Sequence, residues 1–99
     1  MAETADVVVV GGGVIGTSIA FALASAGVKR VVLVNTRVDR PWEQPDNDAI
    51  AAAVPRYPNA VLLDWYTAAS QHPEFLVQDG VHLSTAGQAY YSLMLASKL

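Results

Sequence analysis

Residues 7–16 read Val-Val-Val-Val-Gly-Gly-Gly-Val-Ile-Gly, and this stretch decides the fold that the sequence predicts. Four β-branched residues in a row predict a strand buried on both faces, as in a parallel sheet. A helix is predicted over Val14–Ala26, with Gly27 as its end. A second valine-rich strand follows at Val31–Val34. Because a helix joins the two strands, we expect them to be parallel, with a right-handed crossover.

The rest of the chain continues the alternation of strands and helices. The predicted segments are a helix over Asp46–Val54, a strand over Asn59–Leu63, a helical turn over Trp65–Gln71 and a helix over Ser84–Lys98. We expect the last helix to pack through its apolar residues Ala89, Tyr90, Leu93 and Ala96.

This alternation predicts an α/β fold. The expected form is a small three-layer Rossmann/flavodoxin-like sandwich, with a three-stranded parallel sheet in the order 3-2-1. The 99 residues are enough for one domain, made of a half over 1–34 and a half over 35–99. The order leaves the first strand at an open edge, and such an edge can pair with another chain. We therefore expect a homo-oligomer.

The composition limits the kinds of partner. A net charge of −3 argues against nucleic acid, because binding phosphates needs a basic face. The chain has no cysteine, and its two histidines are too far apart in sequence to indicate zinc. Val7–Val28 is uncharged, but Asp6 precedes it and glycines interrupt it. We expect no membrane partner and a cytoplasmic protein.

The glycines fit the pattern G-x-G-x-x-G between a strand and a helix. Gly11 permits the tight turn, Gly13 lets a pyrophosphate approach the backbone, and Gly16 lets helix and strand pack closely. The N–H groups of the first helical turn would hold the anion. The candidate dinucleotide-binding residues are Gly11, Gly13, Val14, Ile15, Gly16 and Asn35.

This arm, over residues 5–34, resembles FAD-dependent oxidoreductases of the D-amino-acid oxidase and glycine oxidase type. The resemblance implies that an acidic residue after the second strand binds the ribose hydroxyls, but Asn35 stands there. An amide keeps the hydrogen bond and loses the charge-assisted pairing. We therefore expect no cofactor, with weak FAD or NAD binding as the alternative.

Residues 34–99 resemble the C-terminal part of SGNH (GDSL-like) hydrolase domains attached to bacterial acyltransferases. The block Asp79-Gly80-Val81-His82-Leu83-Ser84-Thr85-Ala86-Gly87 carries this resemblance. It implies that Asp79 and His82 are the acid and base of a Ser-His-Asp triad. The family's serine follows its first strand, where this chain has glycines, and Thr17 and Ser18 fall on the predicted helix.

The simpler interpretation of the same block is structural. Asp79 and Gly80 then form a turn, Ser84 caps a helix, and His82 is a half-exposed imidazole with only a vestigial role.

The change of resemblance at Val31–Asn35 predicts an engineered chimera of two α/β fragments, with no complete catalytic site and no enzymatic activity. One alternative is weak binding of FAD, NAD or ADP through the glycine loop. A further alternative is residual esterase activity that depends on His82.

Overall fold

The computed structural model describes the backbone of residues 7–11 and the whole of residues 28–98. The strands are β1 (Val7–Gly11), β2 (Arg30–Val34) and β3 (Ala60–Leu63). The α-helices are α1 (Glu43–Ala53), α2 (Trp65–Gln71) and α3 (Thr85–Lys98), and 3₁₀ turns occur at Val54–Arg56 and Pro73–Phe75. The helix predicted over Val14–Ala26, with Thr17 and Ser18, lies outside the described residues, as do Gly13, Val14, Ile15 and Gly16.

The strands are parallel, in the order β1-β2-β3. Val31 is paired with Val8 on one side and with Ala60 on the other. The side chains of β2 alternate between two apolar clusters, as the two-residue period of a strand requires. Val31 and Leu33 pack with Ile50 of α1, whereas Val32 and Val34 pack with residues of α2 and the second 3₁₀ turn.

The predicted class, a three-layer Rossmann/flavodoxin-like sandwich, is wrong. Between residues 28 and 98, the fold consists of one parallel pair of strands, β2 and β3, and three α-helices. The unit β2–α1–β3 is the single crossover in this part of the chain. After β3 the chain forms helices and an isolated antiparallel bridge between Leu76 and Leu83, because turns at Pro73 and Gly80 interrupt any extended run.

Helix α1 begins three residues before the predicted start at Asp46. Pro45 lies in its first turn, where no intrahelical N–H bond is required, so proline is compatible with the helix there. The predicted span of α2, Trp65–Gln71, is confirmed, and the side chain of Asp64 caps it by accepting a hydrogen bond from the Thr67 N–H.

The predicted packing face of α3 is wrong. Ala89, Tyr90, Leu93 and Ala96 are exposed, and the core-facing residues of α3 are Gly87, Tyr91, Met94 and Leu95. Both faces of this helix are apolar, so hydrophobic period alone cannot choose between them. The choice follows from Gly87, where a Cβ would lie 2.0 Å from the carbonyl oxygen of Phe75. Only the glycine face of α3 can approach that backbone so closely.

Among residues 7–11 and 28–98, no helix combines the length and the apolar character that crossing a bilayer requires.

Candidate active site

The loops that follow β2 and β3 meet at the carboxyl edge of the sheet, where ligands of parallel α/β folds bind. Asn35 follows β2 directly, and its amide donates to Asp64 Oδ1 at 2.8 Å. The amide oxygen of Asn35 accepts the Tyr66 N–H at 2.7 Å. Both polar atoms of this side chain are therefore engaged in joining the two loops. A contact between Asn35 and a ribose stays a prediction. Gly11 is the last residue of β1 and lies at the same edge of the sheet.

The loop over residues 35–40 reaches the turn that contains Asp79 and His82. The Asp39 N–H donates to the Gly80 carbonyl at 2.9 Å. Gly80 has a φ of 68°, in the left-handed region that favours glycine. A Cβ at Gly80 would lie 2.9 Å from the Cβ of Asp39, so the two loops are in close contact.

That loop is itself held by α1. One carboxylate oxygen of Glu43 accepts from Arg37 Nη1 at 2.9 Å and from the Val38 N–H at 2.8 Å. Asn47 exchanges two hydrogen bonds of 2.8 Å with the backbone of Thr36. The position of Asp39 against Gly80 is therefore set by contacts with a helix and not by the loop alone.

Asp79 and His82 form a hydrogen-bonded carboxylate–imidazole pair. The Oδ1 atom of Asp79 accepts the N–H groups of Val81 at 2.8 Å and of His82 at 3.0 Å. Its Oδ2 atom contacts Nδ1 of His82. The hydrogen bond from the His82 side chain, followed by the two backbone N–H bonds, holds the pKa of Asp79 far below its usual value.

The geometry of this pair determines what His82 can do. An ionised carboxylate only accepts hydrogen bonds, so in the neutral ring the proton lies on Nδ1 and the lone pair on Nε2. The His82 side chain is 78% exposed, more than the half-exposed imidazole expected from the sequence. Nε2 is therefore available to take a proton from a hydroxyl group, as the base of a Ser-His-Asp arrangement does.

A second histidine–carboxylate pair lies nearby in the chain. His72 Nδ1 is 3.0 Å from Glu74 Oε1, and the His72 ring stacks on Phe75 with 4.7 Å between centroids. The sequence did not single out this pair, because its only signal is a two-residue spacing across Pro73. The His72 ring packs on the aromatic ring of Phe75. In the His82 pair, by contrast, the carboxylate of Asp79 is held by two backbone N–H groups.

Within the described part of the chain, no group of three or more histidine or carboxylate side chains could hold a metal ion. The expectations of no cofactor, and of only weak FAD or NAD binding otherwise, stay predictions.

Comparison with known proteins shows similarity to bacterial O-acetyltransferases. The chain is 45% identical over 67 residues to the peptidoglycan O-acetyltransferase OatA of Listeria monocytogenes, covering 68% of this chain and 11% of that protein. It is 42% identical over 65 residues to the O-acetyltransferase OatA of Staphylococcus aureus, covering 66% of this chain and 11% of that protein. The chain thus spans about a tenth of the length of the curated relatives it matches. No protein-family model matches the chain.

These relatives correct the prediction of an engineered chimera of an oxidase arm and a hydrolase fragment. The matching proteins are named bacterial O-acetyltransferases, and the match extends over about two thirds of the chain. The hydrogen bonding of the structure is also continuous across the expected junction. Strand β2 is bonded in register to β1 and to β3, and Asn35 is bonded to the loop after β3.

The functional predictions are corrected by the same finding. The expectation of no enzymatic activity is wrong, because the named relatives are enzymes. Neither nucleotide binding through the glycine loop nor residual esterase activity has better support than acetyl transfer. The expected cytoplasmic location is wrong as well, because one relative is named for peptidoglycan, which is a polymer of the cell wall.

Proposed function

We propose that this chain supplies the acid–base pair of an O-acetyltransferase whose acceptor is peptidoglycan. The observation that carries the proposal is the geometry of Asp79 and His82, with a pinned carboxylate on Nδ1 and an exposed Nε2. The similarity to proteins named as O-acetyltransferases supports the type of reaction, and the name of the Listeria protein supports the acceptor.

The chemistry is a transfer of an acetyl group between two oxygens. His82 Nε2 takes the proton of an acceptor hydroxyl while that oxygen attacks the acetyl carbonyl carbon of a donor ester. The carbon–oxygen bond to the donor breaks as the new ester forms, and His82 returns the proton to the departing oxygen. Asp79 remains ionised and stabilises the imidazolium that forms in between.

The test uses the full chain with p-nitrophenyl acetate as donor and chitotetraose, a soluble β-1,4-linked N-acetylglucosamine oligosaccharide, as acceptor. Mass spectrometry of the sugar measures acetyl transfer apart from hydrolysis. We expect His82→Ala to lower the transfer rate at least about 100-fold, which is the usual contribution of a general base. Asp79→Asn should cause a loss of similar size, because it removes the group that fixes the imidazole tautomer.

The matched control is Asp48→Asn, since Asp48 is an exposed carboxylate on α1 that is bonded to Gln44. It carries the same change of charge as Asp79→Asn and should leave the transfer rate unchanged. Transfer by the unmodified chain no faster than that caused by free imidazole would contradict the proposal. Equal rates for the unmodified chain and His82→Ala would also contradict it.

A further inference from the structure

Four aromatic side chains form a stack that runs from the core to the surface. Trp65 is buried, and its ring is stacked on Phe75 with 5.8 Å between centroids and 14° between planes. On Phe75 lie two further rings, His72 at 4.7 Å and Tyr90 at 4.9 Å, both within 30° of parallel. These distances are typical of offset-stacked aromatic pairs.

His72 and Tyr90 both contact the ring of Phe75. Their own centroids are 6.1 Å apart, with 35° between their planes. Tyr90 is 41% exposed and the His72 side chain 45% exposed, so each ring keeps a surface open to solvent. We call these exposed surfaces of His72 and Tyr90 the ring platform.

A carboxylate borders the ring platform. Glu74 Oε1 is 3.0 Å from Nδ1 of His72, and the Glu74 side chain is 61% exposed. A hydrogen bond from its own backbone N–H and one from His72 hold the pKa of Glu74 below its usual value. Glu74 is thus ionised at neutral pH and presents acceptors to any hydroxyl group beside the rings.

Backbone hydrogen bonds join the segment next to the ring platform to the segment that contains His82. The Phe75 carbonyl accepts the Ser84 N–H, and the His82 carbonyl accepts the Val77 N–H, each at 2.9 Å. Residues 75–77 and 82–84 therefore run side by side and include the bridge between Leu76 and Leu83. The platform and the imidazole are fixed relative to each other by backbone hydrogen bonds.

From this arrangement we infer that the ring platform is a subsite for a sugar ring of the acceptor glycan. One face of a pyranose ring presents C–H groups, whose slight positive charge suits the negative faces of aromatic rings. The hydroxyl groups at the edge of the sugar suit the carboxylate of Glu74. The inference rests on the proposed function for the link between this glycan and acetyl transfer.

The test is a titration of the full chain with chitotetraose, followed by NMR chemical shifts of the backbone amides. Saturable shifts are expected at residues of the ring platform. Tyr90→Ala should weaken binding about tenfold, as expected when one ring stacking contact is lost. The matched control is Leu93→Ala, because Leu93 lies on the next turn of α3 and is 69% exposed. It should bind the sugar as the unmodified chain does.

Two conservative variants keep the test valid if Tyr90→Ala unfolds. Tyr90→Phe and His72→Phe retain the stacked rings and should retain most of the binding, whereas Glu74→Gln should weaken it. The titration contains no acetyl donor, so that failure of the proposed acetyl transfer and failure of this subsite are separate results.

Absence of saturable shifts in the unmodified chain would overturn the inference. So would an equal loss of binding with Leu93→Ala, which would indicate a broad apolar surface and not a sugar subsite. The remaining alternative is that a second copy of the chain binds to this face, and light scattering tests it. If Tyr90→Ala and Leu93→Ala both lowered the molar mass, this face would be assigned to contact between copies of the chain.

Discussion

Gly80 is the residue at which the loop after β2 touches the Asp79–His82 turn. Two features of Gly80 disfavour any side chain at this position. Its φ is 68°, and a Cβ there would lie 2.9 Å from the Cβ of Asp39. We expect Gly80→Ala to lower the free energy of unfolding by about 1–2 kcal/mol, the usual cost of a left-handed conformation at a non-glycine residue. Urea unfolding measures this change.

A second substitution separates these two features. Asp39→Gly removes the Cβ that would collide, so the double variant should recover part of the stability and leave the conformational cost. Purely additive effects of Gly80→Ala and Asp39→Gly would show that the contact between the loops has no energetic consequence.

Asp64 contributes to stability in a way that depends on pH. Burial of Asp64 opposes its ionisation, but hydrogen bonds from Asn35 and from Thr67 outweigh it and lower the pKa of Asp64 below its usual value. A lowered pKa in the folded state means that the stabilisation is complete above the unfolded pKa and is lost as pH falls through the folded value. Asp64→Ala, which removes this cap of α2, should cost about 1–2 kcal/mol at neutral pH.

The measurement is the difference in Tm between the unmodified chain and Asp64→Ala, followed from about pH 7 to about pH 3. The difference should shrink at the acid end of this range. A difference that stays constant throughout would mean that ionised Asp64 adds nothing beyond the side chain's shape.

At the scale of the helices, Gly87 decides how α3 lies on the molecule. Propensity alone would make Gly87→Ala stabilising by about 1 kcal/mol, because glycine is a poor residue for a helix interior. The Cβ would, however, lie 2.0 Å from a backbone carbonyl oxygen, which cannot move aside as a flexible side chain can. Overpacking of this kind costs about 1–3 kcal/mol, so we expect net destabilisation.

Chemical unfolding of Gly87→Ala tests this sign directly. Ala89→Gly is the matched control, because Ala89 is exposed on the same helix and reports helix propensity alone. A more stable Gly87→Ala chain would show that α3 does not rest on the backbone of Phe75.

Local patterns predicted those helices and strands whose ends are decided locally. The span of α2 follows from a capping aspartate before an uninterrupted helical run, and β2 from a run of apolar residues. The start of α1 was predicted wrongly because it depends on the first turn of a helix tolerating Pro45. The packing face of α3 was predicted wrongly because it depends on the close contact between Gly87 and Phe75.

The contacts of the candidate site also separate into local ones and ones between distant positions of the chain. The pairing of Asp79 with His82 is a contact over three residues and could be expected from the sequence. The docking of Asp39 on Gly80 joins positions 41 residues apart, and the stacking of Tyr90 on Phe75 joins two helical segments. No short-range pattern contains either contact, so only the folded chain brings these residues together.

For the molecule as a whole, the edge strand of the sheet is the feature with consequences for assembly. In the described backbone, β1 is paired with β2 alone. That this edge joins copies of the chain into a homo-oligomer stays a prediction, as does the folding of residues 1–99 as a single domain. Size-exclusion chromatography with light scattering should give a mass above 10.5 kDa, and a monomer at micromolar concentration would reject the oligomer.

The aromatic stack also supplies an optical probe. The chain contains two tryptophans, and Trp42 is 52% exposed whereas Trp65 is 3% exposed. Iodide in solution should therefore quench the emission of Trp42 and spare that of Trp65. In a Trp42→Phe chain the one remaining indole lies beneath Phe75, so its fluorescence lifetime reports the state of the rings above it without an added label.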